Sequence, residues 1–403
     1  MRRVVKVSRI RIIITIIVVV LTTLLTGCTG KEPNEIAYVV ALGIDSTDDD
    51  NYKITIQYAN TTQISGGASE SGGKAGSEIV DNVTIEAPNI YAGVGLANNI
   101  VSKSFSMSHA KLIVFSKEVA EKGVKDMIET LVRSEEIRPD VFIAVANTTA
   151  NDYLTSVNPE MEVNPAQYYQ LIYQKNQLVG IPDGQLREFF TGLYTDNYDS
   201  ILPVAGVIEG SGGNSQNDDK GQSKDSQNEG SEGSSESLDS FESKNSDENE
   251  KEKDAEKNTS KYEYDIKNYV GGETAIEKKN KAEAIGAAVF EKDKMVGELG
   301  EVETEICKML KGDYTYSYLT YYNNDTPDIP ITVKTTQQKK PKYKIDTDKK
   351  TVDIELYIES DLYSLPADYN VENKIEDFER DVANYTSSTC TEFINNSVSY
   401  THL

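Results

Sequence analysis

The sequence predicts an α+β fold: two or three mixed α/β modules with mainly antiparallel sheets, separated by a disordered acidic linker. Three observations carry that prediction. Segments of strand periodicity and of helical periodicity are interleaved in both halves of the chain. Strand-like segments stand next to one another across short polar turns, as antiparallel pairs require. Between the halves lies Glu209 to Ser260, rich in Gly, Ser, Asn, Gln, Asp, Glu and Lys, with only Leu238 and Phe241 as large apolar residues. From Glu209 to Lys257, fifteen acidic residues stand against six basic ones. Such a stretch cannot bury enough surface to offset its ordering entropy. The expected layout is a signal segment over 1–27, an N-terminal α+β domain over 28–208, the linker over 209–260 and a C-terminal α+β domain over 261–403.

In the first half, Ile36 to Ile44 and Tyr52 to Ala59 read as strands, joined by the turn-rich Asp45 to Asn51. Ser65 to Ser77 carries Gly66, Gly67, Gly72, Gly73 and Gly76. It lacks the lysine followed by serine or threonine that a phosphate-binding loop needs before a helix, so it reads as a flexible hairpin tip. Asn89 to Ser102 has helical spacing through Val94, Ala97, Ile100 and Val101 after Pro88. Leu112 to Phe115 is a short buried-type strand. Val124, Met127, Ile128, Leu131 and Val132 then define an amphipathic helix. Val141 to Ala146 is a strand, Leu186 to Tyr194 is helical, and Ile201-Leu202-Pro203 closes the half.

In the second half, Ala284 to Phe290 and Met295 to Leu299 flank Glu291-Lys292-Asp293-Lys294 as a β-hairpin. Glu301 to Leu310 places Val302, Ile306, Met309 and Leu310 on one helical face and stops at Gly312. Tyr314 to Tyr322 and Ile329 to Gln337 are strand-like. Thr351 to Glu359 alternates cleanly, with Val352, Ile354, Leu356 and Ile358 on one side. Val371, Ile375, Phe378, Val382, Tyr385 and Thr389 mark a long closing helix whose apolar stripe reads as a core face.

The charge balance is strongly acidic, with a formal net charge of −25 over 403 residues. That surface repels nucleic acid and anionic head groups, so no nucleic-acid partner is expected. The N-terminus supplies a different kind of partner. Arg2, Arg3, Lys6, Arg9 and Arg11 precede an aliphatic run from Ile12 to Leu25, followed by Thr26, Gly27 and Cys28. Basic start, apolar stretch, small residues and a cysteine together read as a lipoprotein export signal, with Leu25, Thr26 and Gly27 as the lipobox. The run is shorter than the ~20 residues of a spanning helix. On this basis the Cys28 thiol carries a diacylglyceryl group, the mature chain starts there, and the partner is membrane lipid. A two-chain anchor gains ~0.8 kcal/mol per buried methylene, enough for stable attachment.

No residue set makes an active site, and neither a cofactor nor a metal is expected. His109 beside Lys111 suits acid–base work in type, yet no cysteine or second histidine is near in sequence, which favours a hydrogen-bonded structural role. Arg133, Glu135, Glu136 and Arg138 read as a solvated helix end, with partner binding as the alternative. Tyr314, Tyr316, Tyr318, Tyr321 and Tyr322 suit cross-strand packing better than an aromatic binding face. Cys307 reads as an inert thiol, and whether it meets Cys390 is open. A hydrolase would need a nucleophile, base and acid that the sequence does not present.

Several of these segments together resemble the Ger(x)C spore germination lipoproteins, the C subunits of nutrient germinant receptors. The lipobox is followed by Ile36 to Asp45 (Ile-Ala-Tyr-Val-Val-Ala-Leu-Gly-Ile-Asp). Ser108-His109-Ala110-Lys111 then resembles that family's Gly-His-x-Lys strand, with Ser108 in place of glycine. Ala120 to Val124 and Arg133 to Arg138 are similar to its next helix and turn, and Val141 to Ala146 to the following strand. Ile285 to Phe290, Lys294 to Leu299 and Glu303-Thr304 are similar to its C-terminal signature. The acidic stretch is the main unmatched piece. Members usually continue past the long helix into an Asp- and Gly-rich segment, whereas this chain stops at Val398 to Leu403, which reads as truncation. The resemblance implies a non-catalytic subunit on the outer leaflet of the spore inner membrane, working with A and B receptor subunits. A solute-binding lipoprotein that feeds a transporter is the alternative.

Overall fold

The computed structural model describes residues 11–20, 32–59, 80–159, 162, 164–174, 180–208, 268–274, 280–322, 330–365 and 374–400. The acidic stretch 209–260 and the glycine-rich Ser65 to Ser77 lie outside the described residues. Residues 11–20 are helical, and no described helix is long and apolar enough to cross a membrane.

The first sheet is built on β1 (Ile36–Ser46), which pairs antiparallel with β2 (Tyr52–Ala59), itself antiparallel to β3 (Val80–Ala87). On its other side β1 runs parallel to β5 (Leu112–Ser116), and its first residues also pair in parallel with the short β4 (Ser104–Ser106). Parallel pairing continues through β6 (Phe142–Ala146) to β7 (Ile201–Val207). β8 (Ala282–Glu291) and β9 (Lys294–Leu299) then complete the sheet antiparallel. A second sheet holds β10 (Tyr316–Tyr321), β11 (Ile331–Asp346) and β12 (Thr351–Ser364), all antiparallel. The fold is therefore α+β with mixed sheets. Antiparallel pairings outnumber parallel ones six to four among the described residues.

The parallel centre has a physical reason. β5 (Leu-Ile-Val-Phe-Ser) and β6 (Phe-Ile-Ala-Val-Ala) are buried at every position, as strands covered by helices on both faces must be. Successive residues go to opposite cores. Ile113 and Phe115 join Leu42, Ile44 and Ile54 on one face, while Leu112 and Val114 join Val40 and Ala41 on the other. The first face is covered by α1 (Ile90–Ala97), α2 (Lys117–Lys122), α3 (Lys125–Val132) and α6 (Leu186–Leu193). The second is covered by α4 (Ala150–Ser156) and α5 (Pro165–Gln174), which bring Tyr153, Tyr169 and Tyr173. Each fully buried large apolar side chain stabilises the fold by about 1.5–3 kcal/mol.

The tyrosine hydroxyls of that second core are satisfied. Tyr169 donates to Gln57 Oε1 at 2.5 Å, Gln57 Nε2 donates to the Leu154 carbonyl at 2.8 Å, and Tyr173 donates to the Tyr153 hydroxyl at 3.0 Å. Asp45 closes the same region. Its buried carboxylate accepts from the Ala150 and Asn151 amides at 2.6 and 3.1 Å, capping the start of α4 from 105 residues away.

The first two strands after the acidic stretch, β8 and β9, do not open a new sheet. β8 pairs with β7 from Ile201↔Val289 to Val207↔Ala282, so the first sheet extends to Leu299. Gly206 lies against the backbone of Gly271, where a Cβ would stand only 2.0 Å from the Gly271 carbonyl carbon. α7 (Glu301–Lys311) and α8 (Ile375–Tyr400) accompany the second sheet. A cleft of about 1050 Å³ lies between α8 and β12, lined by Leu356, Ile358, Phe378, Val382 and Cys390.

Element limits differ from the sequence expectation where local signals mislead. The helix expected to run to Ser102 ends at Ala97, and Asn98 turns its side chain to the Phe105 amide at 2.8 Å. β11 runs past Pro341 to Asp346, because register shifts between Gln337 and Lys342 absorb the missing amide. β7 continues beyond Pro203 because its pairing with β6 starts only at Val204. Local pattern does not announce β3, β4, α4 or α5.

Candidate functional site

The lipobox candidates Leu25, Thr26 and Gly27 and the lipidation candidate Cys28 lie outside the described residues. The structure does place the chain just after them. Residues Pro33–Glu35 form a 3-10 turn, closed by the Glu35 amide on the Glu32 carbonyl at 2.9 Å, and β1 begins at Ile36. Ile36 sits beside Ser104, the first residue of β4. The end of the first sheet where β1 begins is thus the part of the described fold nearest in sequence to Cys28.

Two of the singled-out segments meet at this end. After β4, Met107–His109 form a 3-10 turn. His109 is exposed, its ring edge-on to Tyr38 at 4.8 Å and its Nδ1 3.0 Å from Ser108 Oγ. That is a hydrogen-bonded, packed histidine. Lys111 contributes backbone bonds, its amide to Val40 and its carbonyl to the Phe142 amide. Glu136 crosses from the turn after α3 and accepts the Met107 amide at 2.7 Å. Ser134 Oγ accepts the amides of Glu136 and Ile137 at 3.2 Å, which shapes that turn. Nothing in the sequence signals the Glu136–Met107 bond across 29 residues.

The arginines of this turn are already engaged. Arg133 pairs with Glu129 at 3.3 Å, and Arg138 grips Asp140 with two hydrogen bonds at 2.9 and 3.2 Å. Tyr194 donates to Glu129 and, aided by Arg133, holds that carboxyl below the usual range. Arg138 does the same for Asp140. These pairs are exposed and contribute little stability. Beside them a cleft of about 490 Å³ is lined by Tyr91, Val94, Phe105, Met107, Arg133 and Glu136.

The tyrosine row divides by position. Tyr314 is buried, its hydroxyl 2.7 Å from Ser317 Oγ and bonded to Thr335 Oγ1. Tyr321 is buried against Phe378 and Tyr385. Tyr318 is exposed, edge-on to Tyr363 at 5.2 Å, and Lys334 sits 4.5 Å over the Tyr316 ring. Tyr322 is half-buried. Cys307 and Cys390 are both free thiols, and burial raises the pKa of each, that of Cys390 to about 11. Both are poor nucleophiles on that account.

Sequence reasoning missed a polar cleft of about 340 Å³ between α6, β7 and α7. It is lined by Asp183, Glu188, Lys308, Lys311 and Asp313. Asp183 Oδ1 is buried with no hydrogen-bond partner, and burial raises the Asp183 carboxyl. Lys308 is buried, donates to the Ile181 carbonyl at 3.1 Å, and is held below the usual lysine range by burial. One turn earlier, Glu305 accepts from Ser317 at 2.9 Å, and burial raises it to about 7. Among the described residues no group of three His, Cys, Asp or Glu is placed to hold a metal ion.

The described fold is that of an α+β protein, and at this corner His109, Arg133, Glu136 and Arg138 are engaged in structural bonds. Comparison with known proteins gives the family. Residues 30–207 match the model described as "Spore germination protein N-terminal domain", and residues 285–401 match "Spore germination B3/ GerAC like, C-terminal". The chain belongs to the Ger(x)C family of spore germination proteins. Similar curated proteins include "Spore germination protein KC" of Bacillus subtilis (strain 168), 26% identical over 174 residues, covering 40% of this chain and 42% of the relative. "Putative spore germination protein YfkR" of the same organism is 28% identical over 145 residues, covering 36% and 37%. The chain thus spans about two-fifths of the length of the curated relatives it matches. A solved structure titled "Crystal Structure of the GerBC protein" aligns at 15% identity and a TM-score of 0.42, covering 87% of this chain and 80% of that one.

Proposed function

We propose that this chain is a non-catalytic, lipid-anchored subunit of a nutrient-responsive germinant receptor. A diacylglyceryl thioether at Cys28, after the lipobox Leu25-Thr26-Gly27, holds it to the extracytoplasmic face of the spore inner membrane. There it works with the receptor's A and B subunits. The observation that carries this reading is the pair of family matches, N-terminal and C-terminal, in order on either side of the acidic stretch. The layout proposed with it is signal 1–27, an N-terminal part 28–208, linker 209–260 and a C-terminal part 261–403 whose first strands, β8 and β9, complete the sheet of the N-terminal part. Deletion of the gene tests the function. Spores are expected to form normally but to lose the response to a defined nutrient, and an unchanged response in a strain without a paralogue would refute it.

A second reading, capture of a small solute, has one observation in its favour: the polar cleft with the unpartnered Asp183 oxygen. Calorimetry of the protein against amino acids and sugars separates the two, since tight one-to-one binding supports capture.

A further inference from the structure

We propose that the end of the first sheet at which β1 begins rests on the lipid bilayer, with Leu96 and Ile100 at the contact. The proposal depends on the Cys28 anchor. Its own support is the structure around α1 and the turn that follows it.

From Ile90 to Val101 the chain has no charged residue, in a protein of which 27% is charged. The inward side of this segment is accounted for, since Ile90, Val94 and Ala97 are buried in the first core. Its outward side carries the exposed amides of Asn98 and Asn99 but otherwise only uncharged, largely apolar groups. Leu96 is 49% exposed, Ile100 68% and Tyr91 39%, and Val132 at the end of α3 is 38% exposed. An uncharged segment that turns large apolar side chains to solvent is suited to an apolar contact.

The chain path says which contact. β3 ends beside Tyr52, at the far end of β1. α1 and the following turn lead back from there to Ser104, which pairs with Ile36. The Asn98–Phe105 bond fixes the turn that carries Ile100 at that near end. Only Thr29 to Lys31 separate Cys28 from Glu32. Four steps of the backbone reach about 15 Å at most, and the 3-10 turn Pro33–Glu35 follows directly. An anchored Cys28 therefore holds this end, and not the Asp48–Asp50 turn at the other end of β1, close to the bilayer. β1 has eleven residues, so the two ends stand about 35 Å apart. At the near end Arg133 and Arg138 are paired with Glu129 and Asp140. The exposed Glu135 and Glu136 line the cleft from the turn after α3, and the exposed His109 packs on Tyr38, so the contact is assigned to Leu96 and Ile100 alone.

The chain contains no tryptophan, so a single introduced one reports its own surroundings. Full-length lipidated protein carrying Ile100→Trp, and separately Leu96→Trp, is reconstituted on phosphatidylcholine–phosphatidylglycerol vesicles with brominated lipid as quencher. Asp49→Trp at the opposite end of β1 is the reference. Emission from positions 100 and 96 is expected to shift to the blue and to be quenched, while position 49 stays water-exposed. Water-like emission at 100 and 96, or equal quenching at 49, overturns the proposal. So does shielding that appears only with a second membrane protein present, which assigns the patch to a protein partner. Vesicle binding of the Cys28→Ser chain is measured in parallel. If it remains as tight as that of the parent, the anchor itself fails. If it is lost while the tryptophans of the anchored chain stay exposed, only the contact fails.

Discussion

Glu305→Gln isolates one buried acid at the junction of the two sheets. Glu305 lies on α7, accepts from Ser317 of β10, and stands near Glu301 and Lys308. Burial is the main cause that raises its pKa, from 4.5 to about 7, and the Ser317 bond opposes it. In the unfolded chain the group ionises near its ordinary value. Between pH 4.5 and 7 the folded state therefore holds more protons than the unfolded state, and stability falls as pH rises. A separation of this size corresponds to about 3 kcal/mol. The glutamine variant carries no ionisable group there and is expected to escape that loss. Urea unfolding of parent and variant at pH 4 and pH 8 reads the effect. Their difference in stability should be near its minimum at low pH and grow in the variant's favour by about 2–3 kcal/mol above pH 7. A difference that is independent of pH, or one that grows toward low pH, would refute the burial argument.

Three further outcomes follow from named contacts. Asp45→Ala leaves the buried Ala150 amide and the partly buried Asn151 amide without their acceptor and is expected to cost about 1–3 kcal/mol in thermal unfolding. Gly206→Ala drives a methyl into the Gly271 backbone; it should lower the melting temperature by more than Gly95→Ala, where a Cβ meets nothing within 4 Å. Glu136→Ala removes the acceptor of the Met107 amide and should speed hydrogen exchange at Met107 while leaving that of Phe115 unchanged.

Much of the fold is legible in the sequence because its local signals agree with its packing. The alternation in Thr351 to Glu359 and the spacing in Val124 to Val132 each describe one buried face, so local pattern and tertiary role coincide. The wholly apolar Leu112 to Phe115 and Val141 to Ala146 announce strands buried on both faces. What they do not announce is pairing direction, because a fully buried strand looks the same in a parallel and an antiparallel neighbourhood. The sheet's continuation through β8 is hidden for a related reason. The acidic stretch signals a break in composition, and nothing local in Ala282 to Glu291 says which strand it will join. α5 was missed because its tyrosines, Tyr168, Tyr169 and Tyr173, do not read as helix formers, and only the tertiary partners Gln57, Tyr153 and Asn280 make their burial favourable. The same limit applies to the polar groups. Asp45 and Glu136 act across 105 and 29 residues, distances over which sequence spacing carries no geometry. The proposed lipobox, by contrast, is read from contiguous residues alone, Leu25 to Cys28.

Mass spectrometry of the N-terminal peptide from membrane-extracted protein tests the anchored-subunit account most directly. The account predicts a mature chain that begins at Cys28 and carries the mass of a diacylglyceryl group on its sulfur. A peptide that still spans Leu25 to Cys28, or one with an unmodified Cys28 thiol, would contradict it.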